Sequence, residues 1–495
     1  MAHGCSETRW RGGHKRLQFV AWVVICTAFI SFRPPPDSAA SSLEKLAPSF
    51  DEHIVQPAYL DKTPEKFSIS PDTRLNLKTF VDAALQFHPS LRRSWSQINE
   101  TAASVGQALS SFYPNVSTRV FANYNDEGKY RDYEMWEENT KLGAGLGITY
   151  LLLDTGTREN TALAAKKQLD AANSAYNQTV LDLVYAVQQQ YYAYVRSQQM
   201  LEARQQSLRT AKSNHERAKD FFSAGLNSES AVLQAQAHVS QVQYQLATAQ
   251  SEVRRSWKNL ASMCGLPVSP RHEVQDPATL NRELVSENAA ALLDKAQANN
   301  PGLQALQSEI RAGERSVDAA QGAFGPELSV VGSATAQKVN SVARNQGRVE
   351  DDEYQAMIGL QLTYDVFTGF SDTYEKRKAQ ARLKSAKEHY AARQLALKQR
   401  VEDGLSAYTA AVDKLKASQQ FVQDAQESHS ISVELLKAGE GRMLEVTRAL
   451  EQLAEAKSER VAARMDMYTA AASLAHSCGA FEQFGVVRAN WEPMQ

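Results

Sequence analysis

The sequence predicts a mainly α-helical fold with a small β part, in which one α/β unit is repeated in tandem. Two long stretches with almost no proline or glycine predict very long helices, and short stretches of alternating apolar and small residues predict strands. Pro89 corresponds to Pro301 at an offset of 212 residues, and Tyr150 to Tyr364 at an offset of 214. We therefore treat the chain as two copies of one structural unit.

The pattern along the chain predicts five segments. Residues 1–40 are expected to be a signal peptide, 41–72 an extended segment, 73–284 the first repeat, 285–480 the second repeat, and 481–495 a C-terminal tail. The signal has a basic start, an apolar run from Leu17 to Phe32 and a small-residue cleavage site at Ser38-Ala39-Ala40. That run is short of the ~20 residues of a membrane helix and three prolines follow it, which favours a signal over an anchor.

Each repeat is expected to open with two helices. In the first repeat apolar residues recur at helical spacing from Leu77 to Leu85, and Pro89 suits the first turn of a second helix that ends near Ser111. The second repeat has the same pattern, with a helix around Leu292 and another from Pro301 towards Gly322.

Strands follow in pairs, and the second strand of each pair alternates most clearly. We predict strands at Val116–Tyr124, Leu142–Tyr150, Leu328–Ala336 and Ile358–Tyr364, with exposed loops at Asn125–Thr140 and Gln337–Glu353. Alternation with period two places the apolar side chains on one face of a sheet. The residues expected on that apolar side are Leu142, Leu146, Ile148, Ile358, Leu360 and Leu362, and in a membrane-spanning sheet this side would face lipid.

The longest helices come next. The first is predicted from Thr157 to about Phe222, with a break at Gly225 and a return helix from Ser228 to Met263. Its counterpart runs from Ser371 to about Lys437, breaks at Gly439-Glu440-Gly441, and returns to about Ser477. Helices of this length cannot bury themselves in a globule, so the sequence predicts coiled-coil hairpins.

Composition and motifs argue against several classes of function. The formal net charge is −2, which argues against a nucleic-acid partner. We find no metal-binding, phosphate-binding or nucleophile motif, so no enzyme, cofactor or metal site is predicted. Outside the signal only Cys264 and Cys478 occur, and their equivalent positions favour packed residues near helix ends over a disulfide. The histidines expected to be solvated or capping are His88, His215, His238, His389, His429 and His476.

Four open strands cannot close a barrel, which needs roughly eight or more, but three chains would supply twelve. Inside a membrane an unpaired strand edge is costly. The signal, the alternation and the long helices therefore favour a β-barrel in a bacterial outer membrane, continued inward as a helical tube. The alternative is a non-transporting, structural coiled-coil protein of the periplasm or cell surface.

The strand-to-helix junctions and the hairpin tips carry a resemblance. The junctions Tyr150–Gly156 and Tyr364–Phe370, and the tips Ala224–Ala235 and Ala438–Ala449, resemble those of the TolC family of outer-membrane export channels. The resemblance implies a homotrimer with a shared β-barrel in outer-membrane lipid and a helical tunnel in the periplasm. It also implies two partners, a periplasmic adaptor protein and an inner-membrane ABC or RND transporter. The segment Leu362–Asp372 resembles type I protein secretion channels somewhat more than multidrug efflux channels.

The resemblance also implies site residues. The family closes its periplasmic end with acidic residues just inside the second tip, where this chain has Glu445 at the first position and Arg448 at the second. The predicted aperture therefore comprises Arg442, Glu445 and Arg448, unless Glu445 and Arg448 pair on the helix surface. The residues expected to contact the adaptor are Gly225, Leu226, Ser228, Ser230, Gly439, Glu440 and Gly441.

Overall fold

The computed structural model describes residues 75–128, 136–225, 228–268, 274–277, 289–343 and 347–479. The predicted signal peptide, the extended segment 41–72, the boundary between the repeats at 284/285 and the tail 481–495 lie outside these ranges.

Within the described ranges the elements occur in the order α–α–β–β–α–α, twice. The first repeat comprises α1 (Leu77–Phe87), α2 (Pro89–Ser110), β1 (Asn115–Gly128), β2 (Trp136–Leu153), α3 (Thr157–Ser223) and α4 (Glu229–Met263). The second comprises α5 (Ala289–Asn299), α6 (Pro301–Gly322), β3 (Glu327–Ala343), β4 (Gly347–Thr363), α7 (Ser371–Lys437) and α8 (Met443–Cys478). The predicted tandem repeat is confirmed.

The second helix of each repeat begins at the predicted proline. His88 is the N-cap of α2, where its Nδ1 accepts a hydrogen bond from the Ser90 N–H at 3.3 Å. Asn300 takes the same place before α6 and accepts from the Leu303 N–H at 3.1 Å. Each cap satisfies a backbone donor that the first turn leaves without a helical partner.

The four strands form one antiparallel sheet in the order β1-β2-β3-β4, so β1 and β4 are its two edges. The strands are longer than predicted. The tracts Asn125–Thr140 and Gln337–Glu353 were expected to be loops, and that expectation was wrong, because the ladders continue to Gly128 opposite Trp136 and to Ala343 opposite Gly347. In these tracts both faces of the strand carry polar residues, so apolar and polar residues do not alternate and the sequence pattern does not indicate a strand. The backbone hydrogen bonds that pair the strands do not depend on that alternation.

The two long helices are each 67 residues, which corresponds to about 100 Å of helix. Each begins beside the sheet, and each is followed by a return helix with which it packs as a hairpin, α3 with α4 and α7 with α8. Gly225 (φ +72°) and Gly439 (φ +77°) follow the ends of α3 and α7 in the left-handed conformation, as predicted.

An aromatic cluster packs the first repeat near the middle of α3. Phe80 lies 5.9 Å from Tyr191 and 6.3 Å from Trp257 between ring centroids, and Tyr194 lies 5.3 Å from Trp257. Trp257 is buried, and its Nε1 donates to the carbonyl of Val268 at 2.8 Å. This arrangement fastens α1, α3 and α4 together about half-way along the long helix.

Both cysteines occupy the helix ends predicted for them. Cys264 is the C-cap of α4 and Cys478 the last residue of α8, and both are buried without a disulfide. Among the residues that the structure describes, no helix is long and apolar enough to cross a membrane.

Candidate functional site

The apolar face of the sheet is open to its surroundings. The six predicted outward residues (Leu142, Leu146, Ile148, Ile358, Leu360 and Leu362) are between 39% and 81% exposed. The pairing places them on one continuous surface, since Ile148 lies opposite Val116 on β1 and Leu360 lies opposite Val330 on β3. A contiguous exposed apolar surface of this kind indicates contact with another apolar phase or protein.

The opposite face of β2 carries glycines that let neighbouring side chains lie close to the backbone. A Cβ on Gly143 would lie 2.7 Å from the Phe121 ring, and one on Gly145 would lie 2.9 Å from the Thr335 hydroxyl. Gly143, Gly145 and Gly147 therefore belong to a strand, and no helix opens after them as a dinucleotide-binding motif requires.

The junction between β2 and α3 turns through two residues of positive φ, Thr155 (+54°) and Gly156 (+90°). The Asp154 carboxylate caps α3 by accepting from the Arg158 N–H at 2.6 Å. The Arg158 guanidinium donates to the carbonyls of Leu151 and Leu152 and lies 4.7 Å from the Phe112 ring centroid. The junction between β4 and α7 has the same turn, with Gly369 (+65°) and Phe370 (+66°).

The two hairpin tips of the chain lie side by side. Ala218, Ala235, Met443 and Val446 form one buried apolar cluster that joins α3 and α4 to α8. Beyond it, a cavity of about 380 Å³ is lined by residues from both tips. Four of the seven predicted contact residues line it, Ser228, Ser230, Gly439 and Gly441, and the predicted aperture residue Arg442 lines the same cavity. Leu226 lies outside the described residues.

The second tip turns tightly over the end of α7. The N–H groups of Glu440 and Gly441 both donate to the carbonyl of Leu435 at 3.0 Å. A Cβ on Gly441 would lie 2.9 Å from the Leu436 nitrogen, so this glycine is required by close approach of the backbone and not by its φ. In the sequence, Gly441 is marked only as part of the Gly439-Glu440-Gly441 break, and nothing local distinguishes its role from that of Gly439.

The predicted aperture residues lie at the start of α8, where Arg442, Glu445 and Arg448 are all exposed. The Glu445 carboxylate accepts from the Arg442 N–H at 3.3 Å and so caps α8. No ion pair joins Glu445 to Arg448, so the alternative in which they pair on the helix surface is not what this part of the chain adopts. Glu445 has a structural role here that leaves its carboxylate open to the surroundings.

Polar contacts between the two hairpins were not predicted. His238 Nδ1 on α4 lies 3.2 Å from Glu451 Oε1 on α8, and Asn214 Nδ2 on α3 donates to the Thr447 hydroxyl at 3.3 Å. No sequence signal marks them, because their partners are more than 200 positions apart. They add polar specificity to the apolar cluster that holds the tips together.

A further network joins α3 to the far end of α8. Asp182 Oδ1 lies 2.7 Å from His476 Nε2, and Gln178 donates to the same carboxylate oxygen at 2.7 Å. Burial raises the pKa of Asp182, but the hydrogen bonds from His476 and Gln178 outweigh it and hold the pKa below its usual value. In the residues that the structure describes, no group of three or more acidic, histidine or cysteine side chains could hold a metal ion.

The comparisons with known proteins agree with this geometry. The profile of the family described as "Outer membrane efflux protein" matches residues 80–266 and 292–480. "Protein CyaE" of Bordetella pertussis is 25% identical over 82% of this chain and 84% of its own length. "Outer membrane protein TolC" of Vibrio cholerae is 22% identical over 84% of this chain and 93% of its own length.

A solved structure shows the same fold. The outer membrane protein VceC of Vibrio cholerae superposes with a TM-score of 0.68 at 19% identity, covering 82% of this chain and 97% of that one. The family profile falls on both repeats and covers most of the chain. This chain therefore belongs to the outer membrane efflux protein family, and its strands and helical hairpins are those of an outer-membrane export channel with a periplasmic helical part.

Proposed function

We propose that three copies of this chain form the channel, with twelve strands closing a β-barrel in the outer membrane and six helical hairpins forming a tunnel in the periplasm. The observation that carries the proposal is an exposed apolar face on a sheet with two open edges. Lipid would cover the face, and pairing between copies would satisfy the edges, which are costly to leave open inside a membrane. Four strands are too few for one copy to close alone.

The hairpin tips are the proposed contact for a periplasmic adaptor. The cavity between them is open, and hydroxyls, glycine backbone and the Arg442 guanidinium line it. Such a surface can accept the turn of another helical hairpin through backbone and side-chain hydrogen bonds. An inner-membrane ABC or RND transporter would then supply the energy for export, because the chain has no nucleotide-binding motif of its own.

The proposed aperture is the ring that three copies of Glu445 would form, with Arg442 and Arg448 beside it. Carboxylates that converge on one axis repel one another and attract cations, and nearby guanidinium groups offset part of that charge. The exposure of all three side chains supports the proposal.

The mass of the protein in detergent tests the assembly. The trimer should be the stable folded species, and it should resist dissociation by mild detergent. A folded monomer that remains the dominant species after reconstitution into lipid vesicles would contradict the barrel.

The cargo is proposed to be protein, on the resemblance of Leu362–Asp372 to type I secretion channels. Deletion of the gene should remove one or more proteins from the culture medium and leave sensitivity to antibiotics, dyes and detergents unchanged. Increased sensitivity with an unchanged set of secreted proteins would assign the channel to small-molecule efflux instead.

A further inference from the structure

The two strand hairpins of the chain obey one register. Thr118 lies opposite Leu146 in the β1–β2 ladder, and Val330 lies opposite Leu360 in the β3–β4 ladder. These pairs are related by the repeat offsets found in the sequence, 212 for the first strand and 214 for the second. Residues that correspond by the repeat offsets are therefore paired in the same register in both strand hairpins.

The contacts between the two repeats behave differently. If the repeats were arranged symmetrically, each such contact would be present twice, but in the described part of the chain each is present once. Within the chain β2 pairs with β3, and α3 packs on α6 and α8. The equivalent contacts of the second repeat would be β4 with β1, and α7 with α2 and α4. In the described ranges β4 and β1 are the open edges of the sheet, and α7 has no extensive packing on α2 or α4.

We propose that a second copy of the chain fills these missing contacts in the register that the offsets dictate. Transferring the β2–β3 pairing, in which Thr149 lies opposite Val331, places Thr363 opposite the partner subunit's Arg119. The ladder would then join Tyr354–Thr363 to Arg119–Gly128 of the partner subunit. The inference rests on the proposed trimer and adds its register.

The transferred register keeps the two faces of the sheet in phase. It places Leu362 opposite the partner subunit's Val120, and both side chains belong to the exposed apolar face. A slip by one residue would put Leu362 beside Arg119 or Phe121 of the partner subunit, both of which belong to the opposite face. The apolar band would then be interrupted at every junction between copies.

The strand-to-helix junctions give an independent sign of the same contact. Within the chain, the Thr155 side chain occupies the space where a Cβ on Gly325 would lie, and the Thr155 hydroxyl donates to the Gly322 carbonyl at 2.8 Å. By the repeat offsets, Thr155 corresponds to Gly369, and Gly325 corresponds to Tyr113. Within the chain the strand-to-helix turn carries the larger residue, Thr155, and its neighbour is Gly325. At the second junction, which has no such neighbour in the described part of the chain, the turn carries the glycine, Gly369, and the larger residue is Tyr113.

The exchange is consistent with the local backbone and with exposure. Thr155 and Gly369 have nearly the same φ, +54° and +65°, so the two turns present their side chains alike. A Cβ on Gly369 would meet nothing within 4 Å in the chain by itself, and Tyr113 is 53% exposed. The partner subunit's Tyr113 therefore fills the open space over Gly369.

Disulfide cross-linking tests the register. Directly opposed residues in antiparallel strands have Cβ atoms ~4.5–5.5 Å apart, against ~7–8 Å for diagonal neighbours. Thr363→Cys combined with Arg119→Cys should therefore give dimers and trimers on a non-reducing gel. The pair Gln361→Cys with Arg119→Cys, which is two residues out of register on the same face, should remain monomeric.

Controls separate this result from the trimer itself. Thr149→Cys with Val331→Cys is the equivalent pair within the chain and should form a bond without any increase in mass. The native thiols should not interfere, because both are buried and burial raises the pKa of Cys264 to about 12. A trimer by mass that cross-links only through the Gln361 pair would overturn the register and leave the trimer intact. Absence of any trimer would overturn both.

A size exchange tests the junction. Gly369→Thr should reduce the yield of trimer, because the new side chain meets the partner subunit's Tyr113. Adding Tyr113→Gly recreates the Thr155–Gly325 arrangement and should restore it. The backbone strain of threonine at positive φ is common to both variants, so restoration isolates the contact. Equal yields from the single and the double variant would overturn the junction contact.

Discussion

The strongest test of the sheet's orientation is a charge placed on its apolar face, with a matched charge one residue away. Leu360 on β4 is 71% exposed and lies opposite Val330, whereas Gln361 points to the other face opposite Ser329. Leu360→Arg and Gln361→Arg introduce the same side chain at adjacent positions of the same strand. They differ in the phase that the guanidinium meets, lipid in the first variant and the aqueous lumen in the second.

The expected difference is large. An arginine on the lipid face costs about 2–4 kcal/mol near mid-bilayer and about 0–1 kcal/mol near the interfaces. A trimer carries three copies, so a mid-bilayer site would cost about 6–12 kcal/mol for each assembled channel. Gln361→Arg replaces one exposed polar residue by another and should stay within about 0.5 kcal/mol of the parent.

The measurement is the urea dependence of folding into lipid vesicles, with folded trimer separated from unfolded chain by its mobility on an unheated gel. Leu360→Arg should shift the midpoint to lower urea, and Gln361→Arg should match the parent protein. Gly145 faces the same side of the sheet as Gln361 but would be a poor control, because a Cβ there would lie 2.9 Å from the Thr335 hydroxyl. Equal losses in the two arginine variants would refute the assignment of the faces.

Three further predictions concern the helices. Gly439→Val should impair export without loss of trimer. The φ of +77° strains a β-branched residue and so distorts the tip, whereas a Cβ there would meet nothing within 4 Å. Loss of trimer would contradict this prediction. Glu445→Ala and Glu445→Gln should change the cation preference of the channel in planar bilayers to the same extent. Only Glu445→Ala should also remove the cap of α8, which lowers the free energy of unfolding by about 0.5–1 kcal/mol. Unchanged conductance in both variants would place the aperture elsewhere. Burial, Arg217 and Lys457 lower the pKa of His429 below its usual 6.5. The folded chain therefore binds fewer protons than the unfolded chain below that pH, and its stability should fall as the medium is acidified from about pH 7.5 to about pH 5.5. His429→Gln should reduce that fall in melting temperature, and an identical pH profile would exclude the contribution.

The sequence predicts the long elements well because their signals are local. The absence of proline and glycine fixes α3 to within one residue at its C-terminal end, and α7 matches its predicted bounds. Glycine at Gly225 and Gly439 predicts two left-handed turns, and both occur. Each of these signals acts through the conformational preferences of residues inside the element itself.

Contacts between distant parts of the chain escape the same reasoning. The approach of His238 to Glu451 depends on how two hairpins pack, which no short pattern encodes. At Glu445 the spacing suggested a bond to Arg448, yet the backbone N–H of Arg442 competes successfully for the carboxylate. A helix start offers donors without helical partners, and a side chain three residues inside the helix reaches them readily.

Equivalent residues of the two repeats show where the chain is incomplete by itself. Val187 and Val401 are related by the repeat and both are buried, at 0% and 1% exposure. Leu181 and Leu395 are related by the same offset, yet Leu181 is 5% exposed and Leu395 is 71% exposed. Both positions carry a leucine, but in the described part of the chain only α3 packs extensively on helices of the other repeat, α6 and α8. A leucine kept on an uncovered helix face is explained if α2 and α4 of another copy cover α7, so the repeat that divides the chain in two also sets the geometry by which copies join.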